Sequence, residues 1–156
     1  MTKTNVMRLL TEAKIEYSVT EYEVDESDLS GVHAAEQIGA EPDCMFKTLV
    51  CHDDKGGFEV FCIPVAYELN LKKCAVAAKV KRVEMIHVKE LLPLTGYIRG
   101  GCSPIGMKKK FPTYIDETAK LWDRIYVSAG MRGEQICLSP DDLAGYIGAE
   151  FSDLIT

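Results

Sequence analysis

The sequence predicts a mixed α+β fold, with helices at both ends of the chain and between strands. Two observations carry this prediction. Segments with helical spacing alternate with β-branched and aromatic runs, and a glycine-rich turn separates two such runs at 46–51 and 58–65. The chain has 156 residues, 47% of them hydrophobic, so it fits one compact domain over residues 1–156 that buries about two thirds of its unfolded surface.

The first part of the chain is predicted to alternate between helix and strand. Thr4 is a suitable N-cap before apolar residues at helical spacing, and Gly39 is a suitable C-terminal stop. The predicted elements are a helix over 5–14, a strand over 17–24, a polar loop over 25–31 and a helix over 32–38.

The central part contains the strongest hairpin signal. Residues 53–57 (Asp-Asp-Lys-Gly-Gly) separate the two β-runs, so Lys47 is expected near the start of a central strand. Asn70 is suited to cap a helix that extends through Ala78. The apolar residues of this helix form one stripe, and its lysines lie on the other face.

The last part is predicted to hold four strands and a final helix. Residues 96–106 are rich in glycine, so they are expected to be irregular after a short strand at 97–99. Further strands are predicted at 113–116, 124–128 and 135–138. Ser139, Pro140 and Asp142 occupy N-cap, N1 and N3 positions, which predicts a helix from Pro140 to about residue 147.

Composition excludes several classes of protein. No run of about 18 apolar residues occurs and the N-terminus lacks the apolar segment of a secretory signal, so we expect a cytoplasmic protein without membrane contact. The six cysteines include no Cys-x-x-Cys pair, which favours structural thiols over a zinc site or redox couple. No metal and no cofactor is therefore expected.

The formal net charge of −6 is unevenly distributed. Residues 1–60 hold 13 acidic and 5 basic side chains, whereas two stretches of the remainder, 69–83 and 91–115, contain no acid. Their cations either form one phosphate-binding face or belong to an ordinary solvated surface. The candidate tRNA-binding residues are Lys72, Lys73, Lys108, Lys109 and Lys110.

Lys47 is the only cation between Lys14 and Lys55, and it lies in an apolar strand. Such a strand draws the side chain toward the interior, where an ammonium needs a carbonyl, carboxylate or phosphate partner. Lys47 is therefore a candidate for oxyanion or phosphate binding. The alternative is an edge-strand lysine that reaches back to water.

Two glycine-rich segments, 96–106 and 128–133, are candidates for a substrate-binding wall, because peptide amides without Cβ cover approach a substrate closely. Tight turns explain both segments equally well. The three histidines are dispersed and no Ser-His-Asp or Cys-His motif is present. The sequence therefore shows no familiar hydrolase motif that pairs a nucleophile with a general base.

Eight ordered motifs of this chain resemble one family, the YbaK/EbsC-type or aminoacyl-tRNA editing domain, and within it the bacterial cysteinyl-tRNA(Pro) deacylases. The resemblance covers almost the whole chain. The motifs are Lys3-Thr4-Asn5; Tyr22-Glu23; Phe46-Lys47-Thr48-Leu49; Pro64-Val65 with Leu71-Lys72-Lys73; Lys81-Arg82-Val83-Glu84-Met85; Thr95-Gly96-Tyr97 with the Gly100 to Gly106 loop and Lys108-Lys109-Lys110; Ser128 to Gly133; and Pro140-Asp141-Asp142-Leu143.

The resemblance implies a compact α+β domain with a mostly antiparallel, partly barrel-like sheet and surrounding helices. It also implies that the protein removes a mischarged amino acid from tRNA, with Lys47 as the key functional residue. The substrate-binding residues carried over from the resemblance are Tyr22, Gly100, Gly101, Ser103, Ser128, Gly130 and Gln135. Gln135 replaces a residue that is acidic in some relatives, and an amide binds a substrate amine without neutralising it.

In the cysteine-specific relatives the thiol of the substrate attacks its own carbonyl, which would explain why the chain offers no nucleophile. Cys102 as a protein nucleophile is the rival hypothesis. The expected partners are the acceptor end of aminoacyl-tRNA and prolyl-tRNA synthetase, and we expect a monomer. Two further interpretations stay open: an alanyl-tRNA(Pro) deacylase, and a non-catalytic tRNA-binding or synthetase-associated module.

Overall fold

Five helices and eight strands form the part of the chain that this computed structural model describes, residues 3–156. In chain order they are α1 (Asn5–Glu12), β1 (Tyr17–Glu21), α2 (Gly31–Ile38), β2 (Phe46–Asp53), β3 (Phe58–Pro64), α3 (Leu71–Ala78), β4 (Val83–Met85), α4 (Val88–Thr95), β5 (Thr113–Asp116), β6 (Ile125–Ser128), β7 (Glu134–Leu138), α5 (Pro140–Ile147) and β8 (Glu150–Ser152). Short 3₁₀ turns lie at Pro42–Cys44 and Glu117–Leu121.

The strands form two sheets, one in the order β4-β2-β3-β5-β8 and the other in the order β1-β7-β6. The β3–β5 and β5–β8 pairings are parallel and the other four are antiparallel. An isolated bridge between Met45 and Tyr126 links the sheets without closing them. The predicted α+β fold with a mostly antiparallel, partly barrel-like sheet is therefore confirmed.

The predicted helix caps are present. Thr4, Asn70 and Ser139 each accept a hydrogen bond through the side chain from a backbone N–H of the first turn. Gly39 ends α2 in the left-handed conformation with φ 69°. Each of the five helices has eight residues, and within the described residues none is long and apolar enough to cross a membrane.

The predicted strand at 97–99 is wrong. Gly96 ends α4 at φ 84°, the Thr95 hydroxyl accepts a hydrogen bond from the Tyr97 N–H, and the Gly101 N–H donates to the Ile98 carbonyl. The segment is a helix C-cap followed by a turn, and the β-propensity of Tyr and Ile has no partner strand to satisfy it. The predictions also missed α4, which contains Pro93, and the three-residue strands β4 and β8.

The β2–β3 hairpin separates two apolar clusters. On one side, residues of the hairpin pack with α1, α5 and the three-stranded sheet; the fully buried members include Leu10, Val60, Cys62, Ile115, Ile136 and Leu143. On the other side it packs against α3; the buried members include Cys51, Phe61, Ile63, Cys74 and Leu154. Because the hairpin is held on both faces, β2 is a rigid platform for Lys47.

A buried acid in this hairpin makes the stability depend on pH. Glu59 is 5% exposed, one of its oxygens has no hydrogen-bond partner within the described residues, and it lies beside Asp53. Burial, followed by the hydrogen bond to Asp53, raises the pKa of Glu59 to about 8. The folded protein therefore binds more protons than the unfolded chain between the two pKa values, and stability falls as pH rises through this range.

We expect the free energy of unfolding to decrease by about 1 to 3 kcal/mol between about pH 5 and pH 8.5. Glu59→Gln keeps a neutral group that donates to Asp53, so it should reduce this decrease and stabilise the protein on the alkaline side. Burial also raises the pKa of Glu134, so this residue should account for part of the pH dependence that remains in Glu59→Gln. Urea titrations of both proteins across the pH range measure the effect, and identical slopes would contradict the assignment.

Candidate functional site

A cavity of about 560 Å³ opens along one edge of β2, which is within the size range of small-ligand sites. β3 pairs with β2 over Phe46 to His52, whereas β4 pairs only with Cys51 to Asp53. Within residues 3–156, no strand pairs with the rest of that edge. Phe46, Lys47, Thr48, Leu49 and Val50 all line the cavity.

Four other segments contribute to the cavity wall. They are the end of β1 with the loop before α2 (Tyr22, Leu29, Ser30, Gly31), the β4–α4 junction (Met85, Ile86, His87, Val88), the glycine-rich loop (Arg99, Gly100, Cys102), and the β6–β7 pair (Ser128, Gln135). The fold thus places Tyr22, Lys47, Gly100, Ser128 and Gln135 around one cavity, and their roles toward a substrate stay predictions.

Lys47 is partly buried in this wall. Burial lowers the pKa of its ammonium, and the negative charge of Glu68 opposes that shift. Within residues 3–156 the ammonium makes no ion pair or side-chain hydrogen bond. A desolvated cation without a partner attracts a carbonyl oxygen or anion that enters the cavity. Lys47 is not fully buried, so the alternative of a lysine that reaches water through the mouth of the cavity stays open.

The backbone of Thr48 also faces the cavity. The Val50 carbonyl accepts a hydrogen bond from the Ile86 N–H at 3.2 Å, across the edge that β4 approaches. Residues two apart in a strand direct their backbone groups to the same side, so the Thr48 N–H and C=O point toward the open part of that edge. A ligand in the cavity can therefore meet peptide groups from two directions, β2 and the glycine-rich loop.

Gln135 supplies an acceptor that the protein leaves unused. Its side chain is 6% exposed, and within the described residues its amide oxygen has no hydrogen-bond partner. It stands opposite Ser128 in the β6–β7 register, and the Ser128 hydroxyl accepts from the Gly130 N–H at 3.1 Å. A buried acceptor without a partner is costly, so a ligand donor that reached this oxygen would supply the hydrogen bond that it lacks.

Three predicted substrate-binding residues, Gly101, Ser103 and Gly130, do not line the cavity. The Ser103 hydroxyl accepts a hydrogen bond from the Ile105 N–H, and Ser103 is fully buried. Gly130, at φ 100°, packs against the Tyr97 ring, where a Cβ would lie 3.2 Å from Cε1. These residues shape the loops; substrate contact by them stays a prediction.

None of the five lysines predicted to bind tRNA lines the cavity. Lys73 is engaged elsewhere: its ammonium lies 2.9 Å from Asp153 Oδ2 and donates to the Ile155 carbonyl at 2.8 Å. Arg99, which was not among the candidates, does line the cavity and is exposed. Arg99 was expected at the end of a strand over 97–99, and only its charge distinguished it in the sequence.

Cys102 and His87 both line the cavity, which the sequence could not show. Burial raises the pKa of the Cys102 thiol to about 12, so it is not a thiolate at neutral pH. His87 is exposed, and its backbone N–H donates to Glu90 Oε2 at the start of α4. Within residues 3–156 no cluster of three His, Cys, Asp or Glu side chains is arranged to hold a metal ion.

The fold and the cavity define a small α+β protein with a cavity bounded by one partly buried ammonium and by peptide groups of β2 and the glycine-rich loop. A model of the aminoacyl-tRNA editing domain matches residues 29–146, most of the chain. The chain therefore belongs to the aminoacyl-tRNA editing domain family. Every cavity segment described above falls inside the matched range except Tyr22 at the end of β1.

Two curated relatives cover nearly the whole chain. A protein of Enterococcus faecalis named "Putative Cys-tRNA(Pro)/Cys-tRNA(Cys) deacylase EbsC" is 47% identical over 154 residues, 99% of this chain and 94% of its own length. An uncharacterized Bacillus subtilis protein, YwhH, is 27% identical over 148 residues, 94% of this chain and 91% of its own length.

Solved structures share the fold. A "putative trans-editing enzyme for prolyl tRNA synthetase" superposes with a TM-score of 0.83 at 24% identity, covering 100% of this chain and 99% of that one. The hypothetical protein APE2540 superposes with a TM-score of 0.89 at 22% identity, covering 98% and 100%. Identities at this level establish the fold alone.

Proposed function

We propose that this protein is a trans-acting deacylase that cleaves the ester of mischarged aminoacyl-tRNA, with cysteinyl-tRNA(Pro) as its preferred substrate. The observation that carries the proposal is the partly buried Lys47 ammonium, which has no partner within the described residues and lines the same cavity as Gly100. The name of the 47% identical relative supports the same substrate. The proposed partners are the acceptor end of tRNA and prolyl-tRNA synthetase, and the proposed active form is a monomer.

Lys47 is proposed to stabilise the carbonyl oxygen of the ester. Negative charge develops on the carbonyl oxygen when the ester is attacked, and a fixed ammonium in a desolvated cavity stabilises that charge without reorganisation. The peptide groups of Thr48 and Gly100 line the same cavity and add oriented dipoles. The Gly101 N–H, by contrast, is occupied by the Ile98 carbonyl, which makes Gly100 the better donor.

The free amino group of the aminoacyl ester is proposed to bind Gln135. The buried amide oxygen of Gln135 accepts a hydrogen bond from one N–H of the substrate ammonium. This oxygen has no other partner within the described residues. Tyr22 and Ser128 line the adjoining wall. Arg99, at the cavity edge, is placed to attract a phosphate of the acceptor end.

The nucleophile is proposed to be the substrate thiol. Its sulfur bonds to the carbonyl carbon, the bond from that carbon to the ribose oxygen breaks, and the thiol proton ends on the ribose hydroxyl. The products are free tRNA and a thiolactone of cysteine, which water opens to cysteine. Cys102 is a poor competitor, because its pKa of about 12 leaves it protonated.

Single-turnover deacylation of cysteinyl-tRNA(Pro) and alanyl-tRNA(Pro), beside a tRNA-binding assay, tests the proposal. We expect cysteinyl-tRNA(Pro) to be cleaved at least about 10-fold faster, since only it carries an internal nucleophile. Faster cleavage of the alanyl ester would instead identify an alanyl-tRNA(Pro) deacylase. Binding of tRNA with no cleavage of either ester would identify a non-catalytic module.

A further inference from the structure

Arg132 connects three of the segments that form the cavity wall. It follows β6 in the loop before β7, and its side chain is 26% exposed. Its Nε donates to the Arg99 carbonyl at 2.8 Å, and its Nη1 lies 3.0 Å from Glu26 Oε2. One guanidinium therefore connects the β6–β7 loop to the glycine-rich loop and to the acidic loop, defined as residues 25–30.

The glycines of the Gly100-Gly101 pair make room for this connection. A Cβ on Gly100 would lie 3.3 Å from Arg132 Nε and 3.7 Å from Leu29 Cβ. A Cβ on Gly101 would lie 3.1 Å from the backbone nitrogen of Arg132. The bare peptide is thus packed between Arg132 and the acidic loop. Leu29 and Gly100 both line the cavity, so both ends of this contact belong to its wall.

We propose that Arg132 is a positioning residue that holds the Gly100 peptide and the acidic loop in place against the cavity. The kinetic part of this inference rests on the proposed function; the structural part does not. A guanidinium donates in two fixed directions at once, whereas a lysine ammonium on a flexible stem cannot keep both contacts. The two partners of Arg132 differ in kind: Glu26 is a side chain that is 75% exposed, whereas the Arg99 partner is a backbone carbonyl.

The two contacts predict separate kinetic effects. The bond to the Arg99 carbonyl sets the neighbouring Gly100 peptide, so its loss should act on the chemical step and lower kcat. The ion pair with Glu26 holds only the acidic loop, so its loss should raise KM and leave kcat unchanged. An exposed ion pair contributes little to global stability, about 0 to 1 kcal/mol, so the variants should remain folded.

Deacylation by Arg132→Met, Arg132→Lys and Glu26→Ala tests this assignment. We expect Arg132→Met to lower kcat by about 10-fold or more, Arg132→Lys to recover only part of that loss, and Glu26→Ala to raise KM alone. Arg124→Met is the matched control: it removes another exposed Arg–Glu pair, with Glu16 at 2.7 Å, at the opposite end of β6, and it should behave as wild type.

Hydrogen exchange of the free protein tests the same contacts without substrate. In Arg132→Met, the amides of Ser27, Asp28 and Gly101, which donate to partners inside the two loops, should exchange at least about 5-fold faster than in wild type. Unchanged exchange, unchanged kcat, or full recovery by Arg132→Lys would overturn the inference. If wild type cleaves no ester while exchange responds as expected, the proposed function fails and the positioning role stands.

Discussion

Replacing Lys47 with methionine is expected to lower kcat/KM for cysteinyl-tRNA(Pro) by about 10²- to 10³-fold, equivalent to about 3 to 4 kcal/mol of transition-state stabilisation. Methionine keeps an unbranched side chain of similar length and removes the charge. The loss should appear in kcat, because the charge that Lys47 stabilises develops during attack on the ester and is small in the bound substrate.

Stability separates this effect from misfolding. The ammonium is partly buried without a partner in the described residues, so its removal should leave the free energy of unfolding unchanged or slightly higher. Lys55→Met is the matched control, because Lys55 is exposed in the β2–β3 turn and only its backbone N–H bonds Asp53. Wild-type activity in Lys47→Met would remove Lys47 from the mechanism.

Gly101→Ala is expected to lower deacylation by up to about 10²-fold, although Gly101 does not line the cavity. The new Cβ would lie 3.1 Å from three backbone atoms of Met131 and Arg132, closer than ordinary van der Waals contact. The two loops would have to separate, which moves the neighbouring Gly100 peptide away from its place in the wall. We expect a loss of about 1 to 3 kcal/mol of stability as well.

Gly145→Ala provides the matched control for this substitution. Gly145 is exposed in α5, and a Cβ there meets nothing within 4 Å. Alanine should stabilise that helix by about 0.5 to 1 kcal/mol and leave the rate unchanged. Unfolding curves and single-turnover rates of both variants measure the contrast. Equal rates in the two alanine variants would show that the close contact between the loops does not matter for catalysis.

Much of the fold follows from local signals in the sequence. Thr4, Asn70 and Ser139 predict helix starts because a side-chain oxygen must satisfy first-turn amides, and all three do so. The turn at 53–57 predicts the β2–β3 hairpin. α4 was not predicted, because Pro93 is the sixth of its eight residues, where proline cannot donate to the carbonyl four residues earlier and so weakens the helical signal.

The cavity depends on contacts that no local pattern encodes. Lys47 stood out because it is a lone cation in an apolar strand, but the open edge beside it exists only because β4 stops at three residues. Arg99, Cys102 and His87 reach the wall through the course of loops. Lys73 forms an ion pair with Asp153, eighty residues away in sequence, which no local pattern showed; its part in tRNA binding stays a prediction.

The measurement that tests the account most directly is the single-turnover cleavage of S-methylcysteinyl-tRNA(Pro) by the wild-type protein. Methylation blocks the internal nucleophile and leaves the ester, the amino group and the tRNA in place. If Lys47 and the peptide wall only stabilise charge while the substrate supplies its own nucleophile, the methylated ester will break down no faster than it does without protein. Cleavage at the rate of cysteinyl-tRNA(Pro) would contradict the account, because water or a protein side chain would then have to be the attacking group.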